Sequence, residues 1–410
     1  MKIAYLCTDF GVPVFGNKGA SIHVRELTRA LRGLGHEVVI LCTRLGGPEP
    51  AGFDVPVLEF GLDRRGSALD ELLRSDAEGG PAVARAVRAA VTASLLPERA
   101  VAALRDFAPD VLYERYALNG TAGLTLAEEF GIPHVLEVNA PLVDEEHAHR
   151  GLALAATARA LEQDVVTGAD HVFAVSSELG RWLEGLGVPP ERLTVVANAV
   201  DPERFRMPNG QRQHVRRRLG LDGRPVVAFV GTLKPWHDPG ILVRALGVLR
   251  TRGVVAQLLF VGDGPERARL DELAREDGVE SMLTFTGSVS HDEVPGYLAA
   301  ADAAAATYHA DTGSYFSPLK LFEYQAAGLP VVAAQLGDIS HCVRPGETGL
   351  LYQPGDADVL ADALDELIAD RETAAALGRN GREHVLRHHT WTANARAVAD
   401  RAAALVESTS

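Results

Sequence analysis

The chain alternates short uninterrupted apolar runs with longer amphipathic stretches, and it does so in two rounds. Ile3 to Cys7 and Val38 to Cys42 have the length and composition of strands buried on both faces. Between them Asp9 to Gly19 is loop-like, and Ser21 to Leu34 has helical spacing that Gly35-His36-Glu37 ends. Strand, loop, helix, strand is the opening unit of a doubly wound parallel sheet. Further strands are expected at Val111 to Tyr113, His134 to Val138, His171 to Val175 and Leu193 to Val196, with Ala-rich helices between them. The run Arg64 to Leu96 has the poorest core pattern and reads as a mobile insertion. Asn198 to Pro202 ends the alternation, and the charged stretch Pro208 to Arg218 reads as an interdomain connection.

The second round begins with strands at Val226 to Val230 and Gln257 to Val261, on either side of a helix from Ile241 to Leu249. Leu283 to Phe285 and Ala303 to Thr307 continue the sheet, and Gly349 to Tyr352 is a short edge strand. The most informative stretch is Ser317 to Val332, a short helix followed by a buried strand. Ser317 suits the N-cap, Pro318 has no amide hydrogen to lose at the first helical position, and Gly328 can take the left-handed turn that stops the helix. The helix start leaves amide hydrogens free at a positive dipole end, and Lys320 adds a full charge within the first turn. That is the chemistry of an anion site, phosphate above all. Glu323 follows on a neighbouring face, where its carboxylate suits ribose hydroxyls. The plain alternative is an exposed Lys-Glu pair on an ordinary helix.

Length changes the picture first: 410 residues exceed one compact core and suit two domains of ~200 residues. A formal charge of -15 argues against nucleic acid or an anionic membrane as the main partner, so any anion site is local. Cys7, Cys42 and Cys342 are too few for a disulfide scaffold and read as reduced thiols of a cytoplasmic protein. Met1 to Cys7 reads directly as a strand, without a charged-then-apolar export signal. No apolar run approaches the ~20 residues of a membrane span, and peripheral membrane contact stays open.

Gly231 to His237, Val261-Gly262-Asp263-Gly264-Pro265, Gly287-Ser288-Val289 and the Ser317 stretch together resemble the nucleotide-sugar half of retaining glycosyltransferases of family 4, which have the GT-B fold. The N-terminal half follows the family's order too, in the Gly16 to Ser21 loop with His23 to Leu27, Gly35 to Val38, Val175 to Glu178 and Asn198 to Asp201. The individual motifs are loose, whereas their order and spacing are specific.

The resemblance implies two basic side chains holding the donor's diphosphate. The matching positions are Thr232 and His237, a departure from the usual Arg and Lys, and Lys234 and Lys320 are the nearest replacements. It also implies two glutamates around the start of the Ser317 helix. Glu323 matches the one that binds ribose. The other, which contacts the donor sugar, falls at Tyr315, with Asp311 the carboxylate closest before it. Gly262, Ser317, the amides of Leu319 and Lys320, and Val289 complete the implied donor site, the base pairing through the Val289 backbone. In the N-terminal half Asn139 stands where many relatives place a histidine, so no general base is assigned. The departing diphosphate of such retaining enzymes takes the proton from the acceptor hydroxyl on the same face. Lys320, Lys234 and Asn139 are thus the catalytic candidates, and Asn139 with the Gly16 to Gly19 loop would face the transferred sugar or the acceptor. Arg115 and Glu145 are acceptor candidates, with a surface salt bridge as the plain alternative.

Other motifs read as structural. Asp356-Ala357-Asp358 follows Pro354-Gly355 and opens a helix, where acidic residues cap. His384 and His388 lie one turn apart without a third ligand, which suits a solvent-facing helix side. His147 and His149 lie in a carboxylate-rich stretch that reads as an exposed loop or helix start. Gly262-Asp263-Gly264 lacks the third glycine of a dinucleotide fingerprint, because Arg267 occupies it.

The expected architecture is α/β, with two doubly wound Rossmann-like domains facing a cleft: an acceptor domain over 1–203, a nucleotide-sugar domain over 204–385, and a helix over 386–410 packing back on the first. The expected activity is retaining transfer from a nucleoside-diphosphate sugar, UDP by family frequency, to a hydroxyl of a glycan, a lipid-linked sugar or a small metabolite, with no cofactor and no obligatory metal. Two alternatives stay open: a nucleotide-sugar epimerase of similar fold, and a catalytically impaired nucleotide-sugar-binding partner subunit.

Overall fold

The computed structural model describes residues 1–410 apart from 63, 65–66, 69–70, 73–79, 150, 207–209, 222, 312, 314 and 410. The described residues form two compact units, one of residues 1–198 with 391–410 and the other of residues 199–390. The division falls at those points because the flanking residues pair with each other inside the second unit. Val200 N–H donates to the His389 carbonyl at 3.0 Å, and Val200 bridges Thr390.

Among the described residues of the first unit, seven parallel strands line up in the order β3-β2-β1-β4-β5-β6-β7. They are β1 (Lys2–Cys7), β2 (Glu37–Cys42), β3 (Val57–Glu59), β4 (Val111–Arg115), β5 (His134–Val138), β6 (His171–Ala174) and β7 (Leu193–Val195). The contiguous apolar runs became the central strands, covered by helices on both faces as a parallel sheet requires. β3, half exposed and at the edge, has no such run. The expectation of a mobile insertion over Arg64 to Leu96 falls partly outside the described residues, and its second half is corrected. Gly80–Phe107 is one long helix whose Leu96, Ala100 and Leu104 pack with Leu6, Leu41 and Leu126. Its periodic signal is weak because many of its buried positions are alanine, which is also spread over the rest of the helix.

The helix Trp391–Thr409 belongs to the first unit and packs along the helix Gly19–Gly33. The Trp391 ring meets His23 edge-on with centroids 4.8 Å apart, Asn394 donates to the Ala197 carbonyl at 2.8 Å, and Arg401 donates to His171 Nδ1 at 2.9 Å.

In the second unit the order is β10-β9-β8-β11-β12-β13, again parallel throughout the described residues. The strands are β8 (Val226–Val230), β9 (Gln257–Val261), β10 (Leu283–Phe285), β11 (Ala303–Ala306), β12 (Val331–Ala334) and β13 (Leu350–Tyr352). The expected connection over Pro208 to Arg218 begins outside the described residues, and its remainder is corrected: Gln211–Leu219 is a helix of this unit. Arg212 and Arg216 both reach Asp302, at 2.5 and 3.1 Å, and Val215 is buried. Their charges looked like linker chemistry but close the amino-terminal side of β8 and β11, where Asp302 also accepts from the Val226 amide at 2.8 Å.

One glycine in the first unit is fixed by packing. Glu114 and His134 pair at 2.9 Å in the core, and a Cβ on Gly123 would fall 2.0 Å from Glu114 Oε2. Gly123→Ala is therefore expected to destabilise the protein by about 1–3 kcal/mol, the usual range for overpacking. Urea denaturation reads this directly, and an unchanged midpoint would refute the packing assignment.

Candidate functional site

Both sheets reverse their strand order once, between β1 and β4 in the first unit and between β8 and β11 in the second. In open α/β sheets the carboxyl ends of the strands at such a point form the ligand crevice. Some of the candidate residues gather near strand ends, around Lys320 in the second unit and around Glu137 in the first, and others lie apart.

In the second unit β8 runs into Gly231, whose φ of +135° only glycine adopts without strain. A Cβ there would also stand 3.3 Å from Lys320 Nζ, so the missing side chain makes room for the ammonium. Gly262, at the end of β9, has a φ of +141° and lies with its backbone against Gly231, where an added Cβ would meet the Gly231 oxygen at 2.1 Å. The Gly-Asp-Gly motif thus serves close packing of two strand-end loops.

Lys320 lies in the first turn of the helix Leu319–Ala326. Its residue is 9% exposed, and Nζ has no hydrogen-bond partner among the described residues. It sits 4.3 Å from the Phe229 ring centroid and 5.3 Å from that of Tyr308. Burial pulls its pKa down to about 7, against the opposing pull of the Glu323 carboxylate. The two rings offset part of the cost of burying the charge. The expected cap is corrected: Pro318, in extended conformation, is the N-cap, and Ser317 precedes it. With ψ at 112° Pro318 lies outside the helical region, so the helix begins one residue later. It has no side-chain cap, which leaves the first helical amides, those of Leu319 and Lys320, at an open positive end.

The other donor-site candidates surround this point unevenly. Lys234 is half-buried, with its ammonium 5.4 Å from the Trp236 ring centroid. Thr232 is exposed, and its carbonyl accepts from His237 Nδ1 at 2.7 Å. The His237 ring lies against Phe229 and Tyr308, and burial together with nearby Lys320 lowers its pKa to about 3. His237 is therefore neutral and braces its loop, and its own carbonyl accepts from Thr307 Oγ1 at 2.7 Å. Val289 is half-buried just beyond Gly287, which bridges Gly262. Tyr315 lies near Phe316, whose ring stacks on Tyr308 with centroids 4.5 Å apart. Asp311, with its side chain 91% exposed, is not held toward Lys320 by any packing.

Glu323 is buried, and its Oε1 accepts from His291 Nε2 at 2.8 Å. Nothing in the sequence pattern singled out His291, which opens a polar turn far along the chain.

In the first unit the candidates converge on a residue that sequence reasoning passed over. Glu137, in β5, is buried and accepts four hydrogen bonds, from His23 Nε2 at 2.8 Å, Tyr113 OH at 2.5 Å, Arg115 Nη1 at 3.2 Å and Asn139 Nδ2 at 2.6 Å. Burial alone would raise its pKa, yet His23 foremost, then Arg115 and Asn139, hold it down to about 2. The other ring nitrogen of His23 meets Asn198 Oδ1 at 2.6 Å. Arg115 and Asn139 are thus joined through one carboxylate at the ends of β4 and β5. A signal was present, since an acidic residue inside an otherwise apolar strand needs buried partners.

The remaining first-unit candidates lie apart from Glu137 in their bonding. The Gly16 carbonyl accepts from Arg25 Nη1 at 2.8 Å, as does that of Val14 at 2.6 Å, so the buried Arg25 holds this loop in shape. Gly19 is the first residue of its helix. Glu145 lies half-buried on the helix Leu142–His149, beside Glu146, which pairs with Arg85 at 2.7 Å.

Asp356 is a helix cap, accepting from the Val359 amide at 3.0 Å. The solvent-face expectation for His384 is corrected. It is half-buried, its ring 4.8 Å from His388 and 5.3 Å from His389, and His389 in turn stacks 4.5 Å from Phe322. The helix side that carries it faces the helix of Lys320. Among the described residues no three His, Cys, Asp or Glu side chains group as metal ligands, and no helix is long and apolar enough to cross a membrane.

Comparison with known proteins bears on the family and the fold. Residues 17–204 match the family model described as Glycosyltransferase Family 4, and residues 211–384 match Glycosyl transferases group 1. A GDP-mannose-dependent alpha-(1-6)-phosphatidylinositol monomannoside mannosyltransferase of Mycobacterium tuberculosis is 35% identical over 259 residues, 62% of this chain and 67% of that protein. A D-inositol 3-phosphate glycosyltransferase of Rhodococcus erythropolis is 32% identical over 67% of this chain, which spans 63% of that relative's length. In fold the chain is similar to Anabaena HepE (Alr3699), solved in complex with UDP, at a TM-score of 0.76 and 20% identity over 99% of this chain and all of that one. With both halves matched in order and two Rossmann-like sheets formed, the chain belongs to glycosyltransferase family 4, with the GT-B fold.

Proposed function

We propose that this glycosyltransferase moves a sugar from a nucleoside diphosphate to an acceptor hydroxyl, with retention at the anomeric carbon and without an obligatory metal. The observation that carries this reading is the buried Lys320 ammonium, without a hydrogen-bond partner, on the open first turn of a helix beside β8. A cation held in that state is an incomplete anion site. A diphosphate supplies the missing charge, and the ammonium stabilises it most as the bond to the sugar breaks. Lys234 and the Leu319 and Lys320 amides assist, and Glu323 takes the ribose. The leaving diphosphate accepts the proton of the attacking hydroxyl, so the chain's task is positioning and charge stabilisation. Arg115 and Asn139 serve the acceptor or the transferred sugar from the Glu137 cluster. The three buried free thiols suit a reducing, cytoplasmic setting.

UDP is the donor nucleotide expected on family grounds, and GDP is the one named for the mycobacterial relative. The relatives' names also make inositol-bearing hydroxyls, free or on a lipid, the first acceptors to screen. The decisive measurement is melting temperature against UDP, GDP, ADP and TDP and their sugars, with and without a chelator. One nucleotide should raise it, chelator or not, by the equivalent of about 2.7 kcal/mol at a hundredfold excess over Kd. A shift that the chelator abolishes would refute metal independence. No shift with any nucleotide would overturn the donor-site reading and favour an impaired partner subunit.

A further inference from the structure

Glu323 is held on one side only. Its Oε1 takes the His291 Nε2–H bond at 2.8 Å, while Oε2 has no hydrogen-bond partner among the described residues. Both side chains are nearly buried, at 11% exposure for His291 and 8% for Glu323, so the bond is shielded from competing water. His291 is itself fixed. It opens the turn His291–Glu293, whose N-cap Ser290 forms a capping box with Glu293: the Ser290 amide and hydroxyl both donate to Glu293 Oε2, at 3.0 and 2.8 Å. The backbone of the imidazole is thereby locked four residues after Gly287, which bridges the Gly262 loop.

We propose that His291 is a positioning residue of the nucleotide site, pinning one oxygen of Glu323 so that the other is presented to the ribose diol. This deepens the assignment of Glu323 to the ribose and rests on it. A glutamate has several rotatable bonds, and a carboxylate free to swing would form its hydrogen bonds to the diol only after losing that freedom. The pinned carboxylate has already lost it. Ribose recognition, and with it discrimination against 2′-deoxynucleotides, therefore depends on a residue that never touches the nucleotide.

The test is a set of dissociation constants for UDP against 2′-deoxy-UDP, and GDP against 2′-deoxy-GDP, measured calorimetrically on the full chain. The wild type is expected to favour the ribonucleotide by about tenfold or more, the worth of a hydrogen bond to a charged acceptor. Glu323→Gln should remove most of that ratio. His291→Leu and His291→Asn, neither of which can donate at the position of Nε2, should lower it to within about threefold of unity, chiefly by weakening the ribonucleotide. His291→Gln, whose terminal amide reaches that position, should restore it. A brace between turn and helix alone would lower the melting temperature of His291→Leu and leave the ratio intact. If the ratio disappears in Glu323→Gln but persists in both His291→Leu and His291→Asn, the positioning role is wrong and the ribose role stands. If it persists in Glu323→Gln, the ribose role is wrong and the inference falls with it.

Discussion

Lys320→Ala should lower sugar transfer by about 10²–10³-fold or more in kcat, the usual effect of removing a preorganised group that stabilises transition-state charge. The same change should not unfold the protein. Nζ is a buried charge without a hydrogen-bond acceptor, so the folded state tolerates it at a cost. The sign follows from its pKa, lowered from 10.5 to about 7. Between those values the unfolded chain binds a proton that the folded chain lacks, so stability rises with pH across the window. Below about 7 the penalty is fully present. Lys320→Met, which keeps the length of the side chain and removes the charge, should therefore melt at or above the wild type at pH 6, with the difference shrinking as pH rises toward 10.5. Inactivity together with undiminished stability would mark a residue kept for its ligand. Near-normal transfer by Lys320→Ala would overturn the assignment of the helix to the leaving group, and a marked fall in melting temperature for Lys320→Met would show that the ammonium has a structural partner after all.

What the sequence disclosed follows the range of the interactions. Strands such as β1, β2, β8 and β9 were legible because both faces are buried, which forces contiguous apolar runs. Gly328 was legible as a helix stop, and its φ of +73° bears this out. The Ser317 cap was misplaced by one residue because Ser and Pro are both good at a helix start, and only the observed backbone ranks them. The helix Gln211–Leu219 was read as a connection because its arginines answer Asp302, some ninety positions away. The same limit hid the two organising pairs of the candidate site. His291 meets Glu323 across 32 positions, and His23 meets Glu137 across 114. Each of these residues has an unremarkable neighbourhood in the sequence, and only the sheet topology brings its partner to it. The positions of Lys320 and Glu323 were legible because a helix start concentrates its chemistry within one turn.

Glu137→Ala should be the most destabilising single change in the first unit, by about 3–5 kcal/mol, the range for removing one partner of a buried ion pair. The carboxylate accepts from four groups at once, and its removal leaves Arg115 charged and nearly buried, His23 without its acidic partner, and Tyr113 without an acceptor. The pKa gives an independent route to the magnitude. A carboxyl held at about 2 against 4.5 contributes roughly 3 kcal/mol, at about 1.4 kcal/mol per unit. Because the folded pKa is depressed, that contribution is complete above 4.5 and is lost as pH falls toward 2. The wild type should thus lose stability steeply across this acid window, and Glu137→Ala should lose it less steeply. Urea denaturation at pH 7 and at pH 3 measures both quantities. Glu137→Gln separates shape from charge. It keeps an acceptor for Tyr113 but cannot balance His23 and Arg115, so it should fall between the wild type and Glu137→Ala. Activity should fall with all of them beyond what instability explains, since Arg115 and Asn139 owe their fixed geometry to this carboxylate. A Glu137→Ala protein within 1 kcal/mol of the wild type, with an unaltered acid limb, would mean that the cluster reorganises around its loss. Arg115 and Asn139 would then have to be positioned by something other than the carboxylate that both of them bind.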